Sequence, residues 1–539
     1  MQNTLKLKDK NQVTVCILTS GEGSRLGEYT KDINKALLVV KKKAALSHII
    51  ENFPKNSNFV ISVGYKGKLV KDFIKIHHPD INVKFVKVDN YNKTGSGPGT
   101  SLLKCKKYLL KEFFFVSCDT LWKKKVSKFK KYNWMGVSRS NLNIVENYCN
   151  LKLKKKEVVK IIDKKKIRNS LNIKTFVGLA FIKDYHLFWE GLKRKDKKDI
   201  EVQVIKGFKY LLKKTAIKTI DIDWNDIGTK SNYEDLVAKT EKFNFSKTSQ
   251  KIYISKKNVT KFFSDKKIIR KLYLKTKVNP KIFPKNIKYL NNFLSYKFEK
   301  GKTLYKYYKP LNLKKLLLYL DKNLWRKTNN SKFFFYNDCK SFYLKKTKLR
   351  IKEMLKKYPD LENNNYHINS LEIDKIEQIL NRVPWKKIFF GEQRMIHGDL
   401  QFDNIIYSKK KNQFTLIDWR HQFGNNNIWG DLYYDYAKLL GGLEINYDFI
   451  KQNNFSIKIN KKNIFLKLKR RPKNNSLIKV LLKHAVKKRL DDNKIKIITG
   501  LIFLNMSPLH KFPFDKFLFY YGKYYLQKNL NNFYNENKN

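Results

Sequence analysis

Cysteine, proline and glycine are scarce in this 539-residue chain, which contains 5, 11 and 22 of them. The five cysteines show no CxxC spacing, so the sequence predicts neither a disulfide framework nor a zinc site and fits a reducing compartment. No apolar run reaches the ~18 residues that a membrane span needs, and the amino-terminal MQNTLKLKDKNQ has no apolar signal segment. We therefore expect a cytoplasmic protein without a membrane span.

Acidic residues are also few, since 46 Asp and Glu stand against 116 Lys and Arg, which gives a formal charge of +70. Such a charge favours nucleic acid or an acidic membrane surface as a partner. The lysines are, however, spread along the whole chain, without a basic-region motif, an RNA-binding aromatic motif or zinc-finger spacing. A basic nucleic-acid-binding protein stays open as an alternative of another class, while the charge also attracts phosphate-bearing small molecules.

The chain is too long for a single hydrophobic core, because cores stop growing near ~250–300 residues. No internal repeat relates its two halves, and each half carries its own motifs. A polar segment without sustained periodicity separates them. We expect two domains, covering residues 1–245 and 246–539.

The stretch MIHGDLQFDNIIYSKKKNQFTLIDWR indicates a catalytic loop for phosphoryl transfer. His397-Gly398-Asp399 is followed after four residues by Asn404, and a later apolar strand ends at Asp418. In this arrangement Asp399 would accept the proton of an incoming hydroxyl, while Asn404 and Asp418 would hold Mg²⁺ against the nucleotide phosphates. A surface turn with scattered polar residues is the alternative interpretation.

HGDLQFDN followed by IDW resembles the aminoglycoside-phosphotransferase and choline-kinase-like family. The resemblance implies a kinase-like α+β two-lobed domain, with a small lobe at about 246–310 and a large lobe at 311–539. It also implies ATP-dependent phosphorylation of a hydroxyl on a small, often cationic metabolite. Lys261 would be the phosphate-pairing lysine, although a solvated strand face is the alternative and the following helix offers no Glu partner. Asp431 is expected to clamp the catalytic loop.

The first half begins like an α/β nucleotide-binding fold. The apolar run VTVCILT leads into a loop with Gly21, Gly23 and Arg25, and glycines let backbone N–H groups approach phosphates closely. The loop is neither a Walker A motif nor a GxGxxG fingerprint. Asp119 follows a second apolar strand, at a carboxyl end where such sheets bind ligands, and Asp226 offers another carboxylate.

SGEGSRLGEYTKDINKALL, SCDT and WNDIGT together resemble the sugar-phosphate nucleotidyltransferase family, and within it the phosphocholine cytidylyltransferase-like members, over roughly residues 12–240. The resemblance implies a Rossmann-like α/β nucleotidyltransferase domain that binds an NTP and one Mg²⁺. The family usually has Pro before the site lysine, and Asn34 stands there instead, which predicts a less stiff loop. The residues implied in the site are Gly21, Gly23 and Arg25 for the triphosphate, Lys35 for its charge, Asp119 and Asp226 for Mg²⁺, and Lys164 for the acceptor phosphate.

Two further features of the first half leave alternatives open. The Gly-rich loop from Asn92 to Ser101 either presents amides and hydroxyls to the base or ribose, or is an ordinary turn. The tryptophans Trp122, Trp134 and Trp189 either box a quaternary ammonium group or are core residues.

Together these patterns predict a bifunctional transferase that uses ATP, a second NTP with CTP favoured, Mg²⁺ and small-molecule acceptors. The kinase would phosphorylate a choline-like hydroxyl compound. The nucleotidyltransferase would couple a phosphorylated metabolite to a nucleotide, and the family resemblance implies a precursor for decorating surface polysaccharide or lipid. Two independent activities with a sugar 1-phosphate as acceptor are the alternative, and the oligomeric state stays open.

Overall fold

The computed structural model describes residues 12–92, 96–139, 142–165, 172–194, 201–240, 249–327, 332–362, 366–460 and 462–536. The chain packs as two compact units. The first ends at Asp265 and also contains Tyr289–Ser295, and the second consists of Lys266–Lys288 and the chain from Tyr296 onward. The change of unit falls later than the boundary predicted near residue 245. Among the described helices, none is long and apolar enough to cross a membrane.

Strands and helices alternate through the first part of the chain. The strands are β1 (Thr14–Leu18), β2 (Val39–Val40), β3 (Lys43–Ala44), β4 (Asn58–Val63), β5 (Asn82–Lys87), β6 (Phe113–Ser117), β7 (Thr120–Trp122), β8 (Trp134–Arg139), β9 (Cys149–Lys154), β10 (Glu157–Asp163), β11 (Ile173–Ile182), β12 (Lys218–Asp221) and β13 (Trp224–Asp226). The α-helices are α1 (Ala45–Glu51), α2 (Gly67–His77), α3 (Pro98–Cys105), α4 (Tyr185–Lys193), α5 (Ile205–Lys214) and α6 (Lys230–Thr240). Short 3₁₀ helices lie at Ser24–Thr30, Lys35–Leu37, Lys106–Tyr108 and Leu142–Asn147.

The main sheet has the strand order β5-β4-β1-β6-β11-β8-β12-β10-β9. Its first four strands are parallel to one another. Parallel neighbours need crossover connections, which α1, α2 and α3 supply. This arrangement confirms the Rossmann-like α/β fold expected for the first part of the chain.

β1 is apolar along its length because both faces of the sheet are covered. Val15 and Ile17 lie in one buried cluster, whereas Cys16 and Leu18 lie in another. Strands buried on both faces have continuous apolar sequences rather than alternating ones. The run VTVCILT is therefore explained by its place in the middle of the sheet.

The register brings the predicted site segments to one edge of the sheet. β1 and β6 run side by side with Leu18 opposite Ser117, so the glycine loop and Asp119 emerge at neighbouring carboxyl ends. Asp226 joins them because β13 pairs with β7 in antiparallel fashion, with Asp226 opposite Thr120. Ligands of α/β sheets bind at this edge.

A further strand pair packs within the first unit. β14 (Gln250–Ile254) and β15 (Asn258–Phe263) are antiparallel, and they belong to a sheet of order β14-β15-β17-β16 with β16 (Lys288–Leu290) and β17 (Phe293–Lys297). Tyr253 is fully buried, and its hydroxyl donates to the carbonyl of Leu37 over 2.9 Å. The part of the chain that was predicted to form a kinase-like small lobe, at about 246–310, thus contains strands β14 and β15, which share a core with the first unit.

The second unit is mainly helical. Its helices are α7 (Lys266–Val278), α8 (Pro310–Asn323), α9 (Lys332–Lys340), α10 (Lys346–Lys357), α11 (Ile376–Asn381), α12 (Trp385–Phe389), α13 (Leu432–Glu444), α14 (Tyr447–Ile450), α15 (Asn474–Lys487), α16 (Asp492–Met506) and α17 (Phe514–Glu536). Its further strands are β18 (Lys302–Thr303), β19 (Tyr366–Ile368), β20 (Leu371–Ile373), β21 (Gln393–Met395), β22 (Ile405–Ser408), β23 (Gln413–Leu416), β24 (Trp429–Asp431), β25 (Phe455–Asn460) and β26 (Asn463–Leu468). A π-helical turn, Ser341–Lys345, joins α9 to α10, and 3₁₀ helices lie at Pro280–Ile282, Leu304–Tyr307, Pro359–Glu362, Phe402–Asn404 and Ser507–Leu509.

The predicted catalytic loop lies between β21 and the hairpin of β22 and β23. The hairpin pairs Ile405 with Leu416, and Asp418 follows β23 as the sequence predicted. β18 pairs with the other edge of β22. α13 begins just after β24 and is buried along its whole length. It packs beside the loop.

A second sheet in this unit, of order β20-β19-β26-β25, was not predicted. The sequence pattern did not indicate strands at 366–373. Tyr366 and Ile368 are buried and His367 is exposed, which is the period of a strand, but three residues are too few for the pattern to be recognised. The partner strand is also distant in sequence, since Ile368 lies opposite Ile464.

Candidate active sites

The glycine loop after β1 combines one open position with one tightly packed position. A Cβ at Gly21 would meet no heavy atom within 4 Å, so the face of the loop is open there. Gly23 has a φ of +70°, in the region that favours glycine, and a Cβ on it would lie 3.3 Å from Cβ and Cδ of Lys35. The loop therefore leaves room for a phosphate and lets Lys35 approach closely.

Asn34 holds the segment that carries Lys35. The side chain is fully buried, and its Oδ1 accepts from the Ala36 amide over 2.9 Å. Its Nδ2 donates to the carbonyls of Thr19 and Tyr65 over 2.9 and 2.7 Å. The segment is therefore fixed by three hydrogen bonds. These bonds compensate for the flexibility that the sequence predicted where Asn34 replaces a proline.

Lys35 and Asp119 form an ion pair at the carboxyl edge of the sheet, with Nζ 2.9 Å from Oδ2. Burial by itself would raise the pKa of Asp119, but the ammonium of Lys35 outweighs burial and lowers it. Arg25 adds a second positive charge near this carboxylate. Asp119 is thus kept ionised, as a ligand for a cation must be.

Asp226 faces the same point in space as Asp119. A Cβ on Gly228 would lie 3.0 Å from Oδ1 of Asp226, 3.1 Å from Oδ2 of Asp119 and 3.6 Å from a terminal nitrogen of Arg25. Burial, followed by the charge of Asp119, raises the pKa of Asp226. Gly228 therefore marks the place where two carboxylates and a guanidinium converge.

Hydrogen bonds fix the Asp226 carboxylate in this position. Oδ2 accepts from the Tyr148 hydroxyl and from Nδ2 of Asn232, each over 2.8 Å. Oδ1 accepts from the Gly228 amide over 2.8 Å. Because these donors hold the carboxylate, its Oδ1 edge stays directed towards Asp119.

The paired carboxylates fit a magnesium ion that is shared with a nucleotide. Mg²⁺ prefers oxygen ligands and is usually held by one or two carboxylates together with substrate phosphates and water. The described residues contain no cluster of three or more His, Cys, Asp or Glu side chains that could form an all-protein metal site. Asp119 and Asp226 would therefore leave most coordination positions to phosphate oxygens.

A cavity of about 260 Å³ opens beside Asp226. Tyr148 and Trp224 form one wall, with their rings packed edge to face at a centroid distance of 5.4 Å. Arg139 and Lys239 also line it and could pair with an acceptor phosphate. Nothing in the sequence singled out these two residues, because basic side chains are so common in this chain.

Lys164, predicted for the acceptor phosphate, does not line this cavity. Its side chain is exposed, and its backbone has a φ of +47° after the end of β10. Its amide donates to the carbonyl of Tyr148 over 3.2 Å, so it borders the segment that contacts Asp226.

The structure bears on two alternatives that the sequence left open. Trp122, Trp134 and Trp189 are all buried in the core and do not form a cation box. In the loop at 92–101, residues 93–95 lie outside the described residues. The amide of Gly99 donates to the carbonyl of Val202 over 2.8 Å, so it is already used within the protein.

In the second unit, the carboxylate of Asp399 is paired with a lysine. Nζ of Lys438, on the buried helix α13, lies 2.7 Å from its Oδ1. Burial by itself would raise the pKa of Asp399, but the charges of Lys438 and Arg420 outweigh it and lower the pKa to about 2. The carboxylate is therefore ionised at neutral pH. Sequence reasoning missed Lys438, which lies far along the chain.

The other predicted loop residues surround Asp399. Nδ2 of Asn404 donates to the carbonyl of Asp399 over 2.8 Å and to its Oδ2 over 3.3 Å. His397 is buried, which lowers its pKa to about 4, and its Nε2 lies 2.9 Å from the carbonyl of Ile417. Neutral His397 therefore joins the catalytic loop to the strand end that carries Asp418.

Asp418 adopts a φ of +62°, which is uncommon for a residue other than glycine. Such backbone conformations cluster at functional sites, where the surrounding structure maintains them. The following Trp419 fixes the segment, because its Nε1 donates to the carbonyl of Leu272 over 3.0 Å. The half-buried carboxylate of Asp418 and the amide of Asn404 offer the oxygen ligands expected of a magnesium site.

The clamp on the catalytic loop is Asp435 and not Asp431, which corrects the sequence-based expectation. The carboxylate of Asp435 accepts from the amides of His397 and Gly398 over 2.9 and 2.8 Å. Asp431 instead accepts from the Glu392 amide and the Tyr343 hydroxyl. The two aspartates are about one helical turn apart, so sequence alone did not show which of them binds the loop amides.

Lys261, predicted to pair with the nucleotide phosphates of the kinase, lies on β15. Its side chain is 9% exposed, so it is not a solvated lysine on a strand face. Strand β15 packs within the first unit.

Comparison with known proteins supports the assignment of the first part of the chain. Over 216 residues it is 26% identical to the bifunctional protein GlmU of Methanocaldococcus jannaschii, which covers 39% of this chain and 50% of that protein. Over 116 residues it is 28% identical to the D-glycero-alpha-D-manno-heptose 1-phosphate guanylyltransferase of Campylobacter jejuni, which covers 21% of this chain and 51% of the relative. The chain thus spans about half the length of the curated relatives it matches.

No family model matches the chain. A putative glucose-1-phosphate thymidylyltransferase from Bacillus anthracis matches with a TM-score of 0.37 and 17% identity over 44% of this chain and 98% of its own. The inositol-1-phosphate CTP transferase of T. maritima matches with a TM-score of 0.34 and 19% identity over 43% of this chain and 96% of its own.

The strand order defines the first part of the chain as a Rossmann-like α/β domain. Its sequence is similar to that of a GlmU over 39% of the chain and to that of a heptose 1-phosphate guanylyltransferase over 21%.

Proposed function

We propose that the first unit transfers a nucleotidyl group from an NTP to a phosphorylated small metabolite. The convergence of Asp119, Asp226 and Arg25 around Gly228, with Lys35 paired to Asp119, carries this proposal. An oxygen of the acceptor phosphate attacks the α-phosphorus, and the bond to the β-phosphate breaks to release pyrophosphate. Lys35 and Arg25 stabilise the charge that develops on the phosphates.

Mg²⁺ held by Asp119 and Asp226 would neutralise phosphate charge during the transfer. Gly21 and Gly23 let the backbone approach the triphosphate, as the resemblance implies. The acceptor would bind in the cavity lined by Tyr148 and Trp224, beside Asp226.

The acceptor is either phosphocholine-like, with CTP as donor, or a sugar phosphate. The named relatives support the second choice, because one of them acts on a heptose 1-phosphate. Arg139 and Lys239 at the cavity would pair with the acceptor phosphate in both cases, in place of or together with Lys164.

For residues 246–539 we propose a kinase-like domain that phosphorylates a small hydroxyl compound with ATP. The observation that carries it is the ionised Asp399, paired with Lys438 and surrounded by Asn404 and the loop clamped by Asp435. The acceptor hydroxyl loses its proton to Asp399 as its oxygen attacks the γ-phosphorus and ADP leaves. Asn404 and Asp418 would hold Mg²⁺, and Lys261 is retained as the proposed partner of the ATP phosphates.

Mass spectrometry of reaction products tests both proposals together. Purified protein is incubated with Mg²⁺, ATP, CTP, UTP, GTP and a pool of hydroxyl compounds and their phosphates. A nucleotide-linked product formed from an unphosphorylated precursor would support two consecutive reactions. If a phosphorylated compound is the sole product, the kinase proposal stands and the transferase proposal loses support. If nucleotidyl transfer occurs solely to an added phosphate compound, the protein has two independent activities or is a transferase alone.

Matched variants assign each activity to its site. Asp119→Asn should abolish nucleotidyl transfer and keep phosphorylation, whereas Asp399→Asn should do the reverse. If either substitution abolished both activities in a folded protein, the proposal of two separate sites would be wrong.

A further inference from the structure

More cationic side chains surround Asp399 than are needed to neutralise its single negative charge. Lys438 already pairs with Asp399. Two more cations, Lys346 on α10 and Arg420 just after Asp418, lie over the same two aromatic rings, Phe342 and Tyr434.

The distances define this cation pair. Nζ of Lys346 lies 4.0 Å from the ring centre of Phe342 and 5.7 Å from that of Tyr434. The guanidinium carbon of Arg420 lies 5.3 and 5.8 Å from the same two centres. Nε of Arg420 donates to the carbonyl of Gly398 over 2.9 Å, which fixes this guanidinium beside the catalytic loop.

Neither cation of the pair forms a salt bridge within the part of the chain that the structure describes. The carboxylate of Asp399 acts on both of them, but it is already paired with Lys438. Burial, followed by the charges of Arg420 and Lys438, lowers the pKa of Lys346 well below its usual value, and a bound anion would raise it again. Two close cations that lack a salt-bridged counter-ion of their own are costly unless an anion joins them.

The helix that presents Lys346 is irregular at this point. The π-helical turn Ser341–Lys345 ends directly before Lys346 and contains Phe342. Such turns within helices occur frequently at functional sites. Here the turn places Phe342 under the ammonium group of Lys346 and the guanidinium of Arg420.

We propose that the acceptor of this site carries an anionic oxygen group, a phosphate ester or a carboxylate, which Lys346 and Arg420 bind while its hydroxyl meets Asp399. This inference rests on the proposed kinase function. It disfavours choline and other cations as acceptors, because an added cation would be repelled by Arg420 and Lys438 and would not stabilise the charged form of Lys346. The anion and the planar guanidinium would form charge-assisted hydrogen bonds above the rings.

Turnover of paired acceptors is the first test, with ADP release from Mg-ATP as the signal. The full-length chain is assayed with glycerol 3-phosphate, D-glycerate, glycerol and choline, and with glucose 6-phosphate against glucose. We expect kcat/KM for an anionic member to exceed that of its neutral counterpart by roughly tenfold or more. The two glycerol derivatives distinguish a phosphate from a carboxylate. Preference for glycerol, glucose or choline would overturn the inference and leave the kinase function standing.

Lys346→Met is the informative variant, because methionine keeps the aliphatic packing over Phe342. We expect it to raise KM for the anionic acceptor roughly tenfold with KM for ATP unchanged. Lys348→Met, an exposed lysine on the same helix, should change neither value. A rise in KM for ATP alone would place the cation pair at the nucleotide and overturn the inference.

Binding of inorganic phosphate separates this inference from the kinase proposal. Calorimetry in saturating Mg-ADP should detect one binding event that Lys346→Met loses and Lys348→Met retains. If that event is present but no acceptor yields ADP, the anion site stands and the kinase proposal falls. If Lys346→Met and the unaltered protein bind phosphate equally, the anion site is refuted.

Discussion

Nζ of Lys35 lies 2.9 Å from Oδ2 of Asp119, although the two residues come from different loops at the edge of the main sheet. This pair joins the segment that follows the glycine loop to the carboxylate that follows β6. Through Lys35, the nucleotide-binding and metal-binding parts of the proposed site are coupled.

Removing the charge of Lys35 should therefore disable nucleotidyl transfer. We expect Lys35→Met to lower kcat/KM by roughly 10²–10³, because one preorganised charge at a developing phosphate anion contributes that much. Lys55→Met, which alters an exposed lysine of the same unit, is the matched control. A rate within threefold of the control would argue against Lys35 in the site.

Gly228→Ala should block the cation site without straining the backbone. The added methyl would lie 3.0 and 3.1 Å from the facing oxygens of Asp226 and Asp119, where a metal ion would have to sit. We expect nucleotidyl transfer to require at least roughly tenfold more Mg²⁺. A magnesium titration of the initial rate measures this, and an unaltered titration curve would contradict the proposed position of the ion.

Asn34→Ala should destabilise the first unit. The substitution leaves the amide of Ala36 and the carbonyls of Thr19 and Tyr65 without their partner, at a cost of about 1–3 kcal/mol in the free energy of unfolding. Chemical denaturation followed by tryptophan fluorescence measures the change. Asn34→Asp keeps an acceptor but loses both donors, and this variant should be no more stable than Asn34→Ala. If Asn34→Asp instead recovered full stability, the two donated hydrogen bonds would be unimportant.

Lys438→Met should make phosphorylation sensitive to acid. Lys438 favours the ionised form of Asp399, whose pKa is lowered to about 2, so the base of the unaltered protein stays ionised down to about pH 3. Without the ammonium the pKa of Asp399 rises by roughly one to three pH units, and activity is lost at correspondingly higher pH as the solution is acidified. The acidic limb of the kcat profile tests this, and an unchanged limb would show that Lys438 does not control the base.

Asp435→Asn should loosen the catalytic loop. An amide side chain offers a single acceptor atom, so one of the amides of His397 and Gly398 loses its partner. We expect phosphorylation to fall by roughly ten- to a hundredfold, as for loss of a hydrogen bond to a charged group, with nucleotidyl transfer unchanged. Faster hydrogen exchange at the loop amides would accompany the loss, and full kinase activity would show that the clamp is dispensable.

Local sequence determined the elements that carry the chemistry. The apolar runs before Gly21 and Asp119 favoured buried strands, because they are short, continuous and rich in β-branched and aromatic residues. The glycine loop was recognised within one short segment, and Asp399, Asn404 and Asp418 were recognised from their spacing within another. These positions could be predicted because their geometry depends on neighbours close in sequence.

Only the tertiary structure decided which distant side chains complete each site. Asp435 rather than Asp431 holds the catalytic loop, Lys438 sets the charge of Asp399, and Gly228 marks the meeting point of Asp119 and Asp226. In a chain with 116 Lys and Arg, no lysine can be recognised from sequence as the one beside a given carboxylate. That selection depends on strand register and helix packing, which bring together residues far apart in the chain.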